Sequence, residues 1–332
     1  MDSLTQIVLG AAVGEAVLGR KIGNKAILYG AIAGTIPDLD VIAQFFTDTV
    51  TALEIHRGFT HSILFSLLFA PIFAWLVIKY ETYKEFKQWT LFFFLTLVTH
   101  PILDAHTTWG TQLFWPFEIR LQFKNIFVVD PLYTIPFLVC LVLAMCYKRT
   151  SKKRRFFNLL GLSISSFYLV LTLVFKGFAT REFSNQLKAK NIKFNTFDTK
   201  PAPLTSVLWA ANVETDDAFL IGYYSFFDSK PIHFTSYPKN HDLLGHLALN
   251  EKVKRMITIS QGWYTISRVD NNLFFNDLRF GLLSLDPQSK DFVFSYKIQV
   301  EANNTVNFIE APKQTEDAKK LLPELWDRIK GN

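Results

Sequence analysis

Six apolar runs fill the first half of the chain, and they decide what it can fold into. They cover residues 4–19, 26–46, 60–78, 89–106, 131–147 and 156–175. Several approach the roughly 20 residues that a helix needs to cross a bilayer. The first is short and Gly-rich, and the fifth is slightly short. In lipid, every backbone N–H and C=O must be paired internally, so such runs read as an α-helical membrane bundle of about six spans. Only 19% of the 332 residues are charged and 49% are hydrophobic. A soluble chain of this length usually carries more charge.

The composition changes after Lys176. Runs 204–212, 218–227, 265–275 and 292–300 are β-branched and aromatic, with partial alternation. Turn signals separate them at Val269-Asp270-Asn271-Asn272, Leu285-Asp286-Pro287 and Ala302-Asn303-Asn304. Stretches 243–257 and 315–329 have the apolar spacing of amphipathic helices. The expected organisation is a transmembrane domain at 1–176 followed by a soluble, β-rich α+β domain at 177–332.

Loop charge orients the bundle. Arg20, Lys21 and Lys25 lie in the first loop, Lys79, Lys84 and Lys87 in the third, and six cations of 148–155 in the fifth. The second loop holds Arg57 alone, and the fourth holds Arg120 and Lys124. Odd loops are therefore expected in the cytoplasm, with both termini and the C-terminal domain outside it. Much of the net charge of +6 sits in the fifth loop, which reads as a membrane flank and not as a nucleic-acid patch. Asp2 stands where a signal peptide would be positive, so no cleaved leader is expected. Cys140 and Cys146 are six apart in one apolar run and read as small buried hydrophobes.

Polar residues inside the apolar runs are few and grouped. They are Pro37-Asp38-Leu39-Asp40, His56-Arg57-Gly58-Phe59-Thr60-His61-Ser62 and Thr99-His100-Pro101-Ile102-Leu103-Asp104-Ala105-His106. Ionisable groups at such depth are costly and normally serve a function. Counted as helix, Lys25 to Asp38 and Lys87 to His100 each span about 20 Å, and Lys79 to His61 about 27 Å. Three segments thus bring Asp and His to a similar layer, in the outer part of a core roughly 30 Å thick. His100 and Asp104 are i and i+4, on one helix face. Asp38 and Asp40 cannot share a helix face, so Pro37 is expected to break the helix and turn both inward. Gly58 is expected to turn the backbone tightly so that His56 and His61 converge. Imidazole plus carboxylate suits zinc, with manganese or iron as alternatives. The expected metal ligands are Asp38, His56, His61, His100 and Asp104. Asp40 is expected to act as general base, and Arg57 to offset negative charge. Thr60, Ser62 and Thr99 read as supporting or capping hydroxyls, Glu15 as a packing contact, and His106 as a residue of the helix end. The bland alternative is a bundle stitched by Asp–His hydrogen bonds, without metal.

The opening Met1-Asp2-Ser3-Leu4-Thr5-Gln6 with its Gly/Ala helix, together with these three motifs, resembles the bacterial YdjM-type membrane-bound metal-dependent hydrolases. The resemblance covers about residues 1–110 closely. It extends loosely through Gly262-Trp263-Tyr264 and Asp277-Leu278-Arg279-Phe280-Gly281. Zinc-dependent phospholipases C and related nucleases are more distantly similar. Many family members carry His after Thr near the start, where this chain has Gln6. The resemblance implies an inner-membrane, metal-dependent hydrolase acting on a phosphoester or lipid-like ester at the outer leaflet. The competing readings are a metal-binding transporter or sensor, and a structural membrane protein whose outer domain binds a partner. No His-Glu-x-x-His, Gly-x-Ser-x-Gly or phosphate-loop pattern occurs.

The orientation is directly testable. A reporter active only in an oxidising compartment should work when fused after Asn332 and stay silent within 148–155. The reverse pattern would overturn it.

Overall fold

The computed structural model describes residues 1–286, 289–301, 305–312 and 315–332. The expected turns at Pro287 and at Ala302-Asn303-Asn304 lie outside the described residues. The chain divides into two compact units. The first holds Met1–Ile42, Ile55–Val174 and Pro203–Thr205, and the second holds Ala43–Glu54, Phe175–Ala202 and Ser206–Asn332. The division thus differs from a single cut near residue 176, because a short early segment belongs to the second unit.

The first unit is helical. Helix α1 (Ser3–Ile22) starts at Asp2, whose carboxylate accepts the Thr5 N–H at 3.1 Å. Helix α2 (Asn24–Thr35) follows a turn at Gly23, whose φ of 63° favours glycine. The two helices pack backbone to backbone. A Cβ at Gly10 would lie 2.3 Å from the Gly30 carbonyl oxygen, and one at Gly34 would lie 2.7 Å from that of Gln6. Glycine at these positions is what permits the approach.

Helix α2 ends before Pro37, which lacks an N–H and cannot continue the ladder. The chain tightens into a 3-10 helix, Pro37–Phe45, bent by 43° from α2. Helix α3 (Thr49–Ile55), a 3-10 turn at Phe59–His61 and helix α4 (Ile63–Ile78) come next, with a 61° bend before α4. Ser62 caps α4 by accepting the Phe65 N–H at 3.0 Å. Helices α5 (Phe86–Asp104), α6 (Pro131–Met145) and α7 (Lys152–Ala189) complete the set.

The expectation of about six spans is corrected. Among the described residues, only α7 is long and apolar enough to cross a membrane, or up to three spans if each bent pair counts as one. The remaining runs are shortened or interrupted by polar groups. Pro37 breaks the second run, α6 has 15 residues, and α5 carries His100 and Asp104. Cys140 is buried but Cys146 is exposed, against expectation, because the two lie on different faces of one turn-and-a-half of chain. Glu15 forms a buried ion pair with Arg154, at 2.6 and 2.5 Å.

The second unit contains two four-stranded antiparallel meanders. One is β1 (Thr196–Pro201), β2 (Leu208–Glu214), β3 (Ala218–Ser225) and β4 (Phe234–Pro238). The other is β5 (Tyr264–Val269), β6 (Asn272–Leu282), β7 (Phe292–Val300) and β8 (Val306–Glu310). Run 265–275 is therefore two strands, joined where Val269 pairs with Asn272 and Asp270 takes a φ of 52°. Strand β2 starts late because Leu204 has a φ of 62°, which a strand cannot accommodate. The expected helix at 243–257 is instead a kinked 3-10 segment, His241–Leu249, followed by α8 (Glu251–Ile259). The break falls at Gly245, with a φ of 49°, and at Asn250, which caps α8. Helix α9 spans Thr315–Ile329, as its spacing predicts.

Gly30→Val should push α1 from α2, an overpacking cost of about 1–3 kcal/mol or more. The expected outcome is a lower melting temperature of the detergent-solubilised protein, with Ile32→Val as a neutral control on the exposed face. An unchanged melting temperature for Gly30→Val would refute the close packing.

Candidate metal centre

The break at Pro37 frees two carboxylates, and one imidazole lies between them. Asp38 Oδ1 is 3.3 Å from His61 Nε2, and Asp40 Oδ2 is 3.2 Å from His61 Nδ1. His61 arrives from the short 3-10 turn. The sharp backbone reversal ahead of it occurs at Arg57, with a φ of 58°, and not at Gly58. That conformation is held by the Arg57 N–H, which donates to Asp40 Oδ2 at 2.8 Å. From α5, His100 Nε2 comes within 3.2 Å of His61 Nε2. Its own Nδ1 donates to the Gly34 carbonyl at 2.6 Å, so the tight α1–α2 pair supplies the contact that turns this ring.

Four donors converge here: Asp38, His61, His100 and Asp104. Their ligand atoms all lie within 4.8 Å of one another. Both His61 and His100 Nε2 are close to both carboxylates, at 3.3 and 3.4 Å from Asp38 Oδ1 and at 3.4 and 3.5 Å from Asp104 Oδ2. A tetrahedral ion with bonds of 2.0–2.1 Å separates its ligands by roughly 3.3–3.4 Å. Five of the six edges of this donor set measure 3.2–3.5 Å. The protons tell the same story. His100 Nδ1 donates to the Gly34 carbonyl, and His61 Nδ1 lies 3.1 Å from the Thr60 hydroxyl and 3.2 Å from Asp40 Oδ2; with Nδ1 protonated on each ring, the neutral tautomers leave a lone pair on each Nε2. Asp104 Oδ2 accepts no hydrogen bond among the described residues, although it is fully buried. Lone pairs facing one another at 3.2–3.5 Å in a dry interior repel, and a cation among them removes the repulsion. The donor set therefore fits a metal ion.

Around the four donors stands a ring of partners. Asp40 is also bound by His56 Nδ1 at 2.9 Å and by the Thr60 hydroxyl at 3.2 Å. Arg57 places Nε 3.1 Å from Asp104 Oδ2 and donates Nη1 to the Thr107 hydroxyl at 2.8 Å. The other carboxylate oxygen of Asp104 accepts from Gln6 Nε2 at 2.9 Å and contacts the α-amino nitrogen of Met1. Three of the four donor side chains are at most 1% exposed, whereas Asp38 is 25% exposed, so solvent reaches the centre past Asp38.

The residues singled out from sequence divide accordingly. Asp38, His61, His100 and Asp104 come together as one cluster. His56 stands outside it, with its ring centroid 6.1 Å from that of His61. Asp40 touches two imidazoles, and Arg57 is buried against Asp104. Ser62 caps α4, and Thr99 bonds to Leu95 within its own helix. His106 Nδ1 donates to Asn125 Oδ1 at 2.9 Å, on the half-buried helix end. Sequence reasoning missed the Gly34 carbonyl, Thr107, and the pair formed by Arg120 and Trp109 beside His56. A backbone carbonyl leaves no trace in side-chain pattern, and Trp109 and Arg120 lie in a connecting loop without periodicity.

The model of the YdjM inner membrane protein family matches residues 1–179. The uncharacterized protein YfhP of Bacillus subtilis is 30% identical over 184 residues, 52% of this chain and 51% of YfhP. The inner membrane protein YbcI of Escherichia coli is 26% identical over 112 residues, 34% of this chain and 64% of YbcI. The matches thus span about half to two thirds of these relatives. No solved structure matches the chain. The matched stretch carries all four donors and covers more than half of the sequence, so this chain belongs to the YdjM inner membrane protein family.

Proposed function

We propose that this chain is a membrane-bound, metal-dependent hydrolase that cleaves a phosphoester or lipid-like ester at the outer leaflet. Asp38, His61, His100 and Asp104 would hold a divalent ion, zinc by preference, with manganese or iron as alternatives. The observation that supports this is the near-tetrahedral donor set, with His100 Nδ1 held by the Gly34 carbonyl and His61 Nδ1 facing the Thr60 hydroxyl and Asp40. Such an ion, when bound, acidifies a water and polarises the scissile group.

The chain's own residues do the rest. Asp40 fixes the tautomer and aim of His61 and holds His56 with its other oxygen. With both oxygens engaged, Asp40 acts here as an orienting carboxylate and not as the base. His56 is the better group to move a proton, since its side chain is 27% exposed and Nδ1 is anchored. Arg57 offsets the charge of Asp104, which its guanidinium faces at 3.1 Å. Asp38, the most exposed donor, marks where substrate enters.

One observation favours a second reading, a metal-binding transporter or sensor. Four protein donors already fill a tetrahedron, and closed zinc sites are usually structural. Turnover separates the two. Purified protein should contain about one zinc per chain, and a His100→Ala/Asp104→Ala variant should contain none. Full occupancy in that variant would exclude the site. Asp40→Asn should weaken zinc binding about 10–100-fold, because Asn offers one acceptor where two rings need one each.

Phosphodiesters and lipid-like esters offered in detergent should be hydrolysed, with chelation stopping the reaction and zinc or manganese restoring it. His56→Ala should lower turnover at least tenfold while zinc content holds. A broad ester panel without metal-dependent turnover, beside Asp38-dependent metal uptake into sealed vesicles, would replace the hydrolase reading with transport.

A further inference from the structure

The segment Ala43–Glu54 separates Asp38 and Asp40 from His56 and His61. Asp40 lies three residues before it and His56 two residues after it. Yet this segment belongs to the same compact unit as the β-rich domain. Val50 is 1% exposed and sits in one core cluster with Leu244, Val253, Met256, Tyr264 and Phe275. Asp48 caps α3 by accepting the Val50 and Thr51 N–H groups at 3.0 and 3.2 Å. Arg255 of α8 then grips α3 by its end. Its Nε and Nη2 donate to the two carboxylate oxygens of Glu54 at 2.8 and 2.6 Å, and Nη2 also reaches the Thr51 hydroxyl at 2.9 Å. Lys252, one turn earlier on α8, lies 3.7 Å from Asp48.

We propose that the C-terminal domain positions the metal centre through this segment, with Arg255 and the Val50 seat as its positioning contacts. The inference rests on the metal-centre reading above. The physical reason is chain continuity. Asp38 and Asp40 grip the two nitrogens of His61, so their registration depends on the path from residue 40 to residue 56. A segment of twelve residues tied at Val50, Thr51 and Glu54 has few conformations, whereas an untethered one has many. Anchoring the middle of the path lowers the disorder of both flanks. Donors held in register bind an ion more tightly than donors that must be collected. The bidentate Arg255–Glu54 fork adds direction, because a planar guanidinium fixes the carboxylate it faces.

Cobalt serves as the probe, since its visible bands report ligand geometry. Full-length wild-type protein, Arg255→Ala, Val50→Asn and the charge swap Glu54→Arg/Arg255→Glu are compared in detergent. Hydrogen exchange at residues 43–54 reports whether the segment has been released. Arg255→Ala and Val50→Asn should speed exchange there, broaden the cobalt bands and weaken cobalt binding about tenfold. The charge swap should restore slow exchange and recover most of the affinity. Faster exchange with wild-type affinity and an unchanged spectrum would overturn the inference and leave the metal centre standing. Absence of cobalt bands in the wild-type protein would overturn the metal centre itself, and this inference with it.

Discussion

Two carboxylates and two imidazoles meet in a place that water barely reaches, and everything around them serves to make that tolerable. Buried ionised groups are stable only when paired, hydrogen-bonded or bound to a cation. Each member of the set has such support. The Gly34 carbonyl holds His100, Asp40 holds His61, and Arg57 and Gln6 hold Asp104. What these contacts leave over is a set of lone pairs aimed at one point. The surrounding network thus creates the demand for positive charge that the four donors express.

The fold can be read as the means of delivering those contacts. The glycines of α1 and α2 bring the Gly34 carbonyl and Gln6 to α5, where larger residues would hold them away. The proline break spends helix continuity to turn Asp38 and Asp40 toward His61. The left-handed Arg57 reverses the chain so that one residue serves Asp40 through its N–H and Asp104 through its guanidinium. Irregular backbone in a bundle of this kind is tolerated where it lines a polar interior, and here the break at Pro37 and the reversal at Arg57 border the centre.

Much of the centre was legible because depth along a helix is simple arithmetic. Asp38, His61 and His100 count to similar heights, and with Asp104 they meet. The spacing of His100 and Asp104 on one face needed nothing more than helix geometry. His56 was harder to place, since a turn residue has no periodicity, and the backbone reversal sat at Arg57 where glycine was the natural expectation. The number of spans was overcounted because apolar content was read without the breaks at Pro37 and before α4. In the C-terminal domain the longer strands showed themselves, while β1, β4 and β8, each of five or six residues, were too short to stand out. The membership of Val50 in a core built from residues 244–308 is a tertiary fact, and no local pattern encodes it.

That last contact has a consequence for how the chain is made. Glu54 and Arg255 are separated by 201 residues, and Val50 shares its core with Val306 and Phe308. At about 5–20 residues per second, a ribosome needs about 10–40 s to supply the partner after the segment has emerged. Throughout that interval the helices on either side can form while the loop between them has nothing to dock against. Synthesis of the residues that build the second core, and not insertion of the first helices, therefore sets the moment at which this early loop reaches its final conformation.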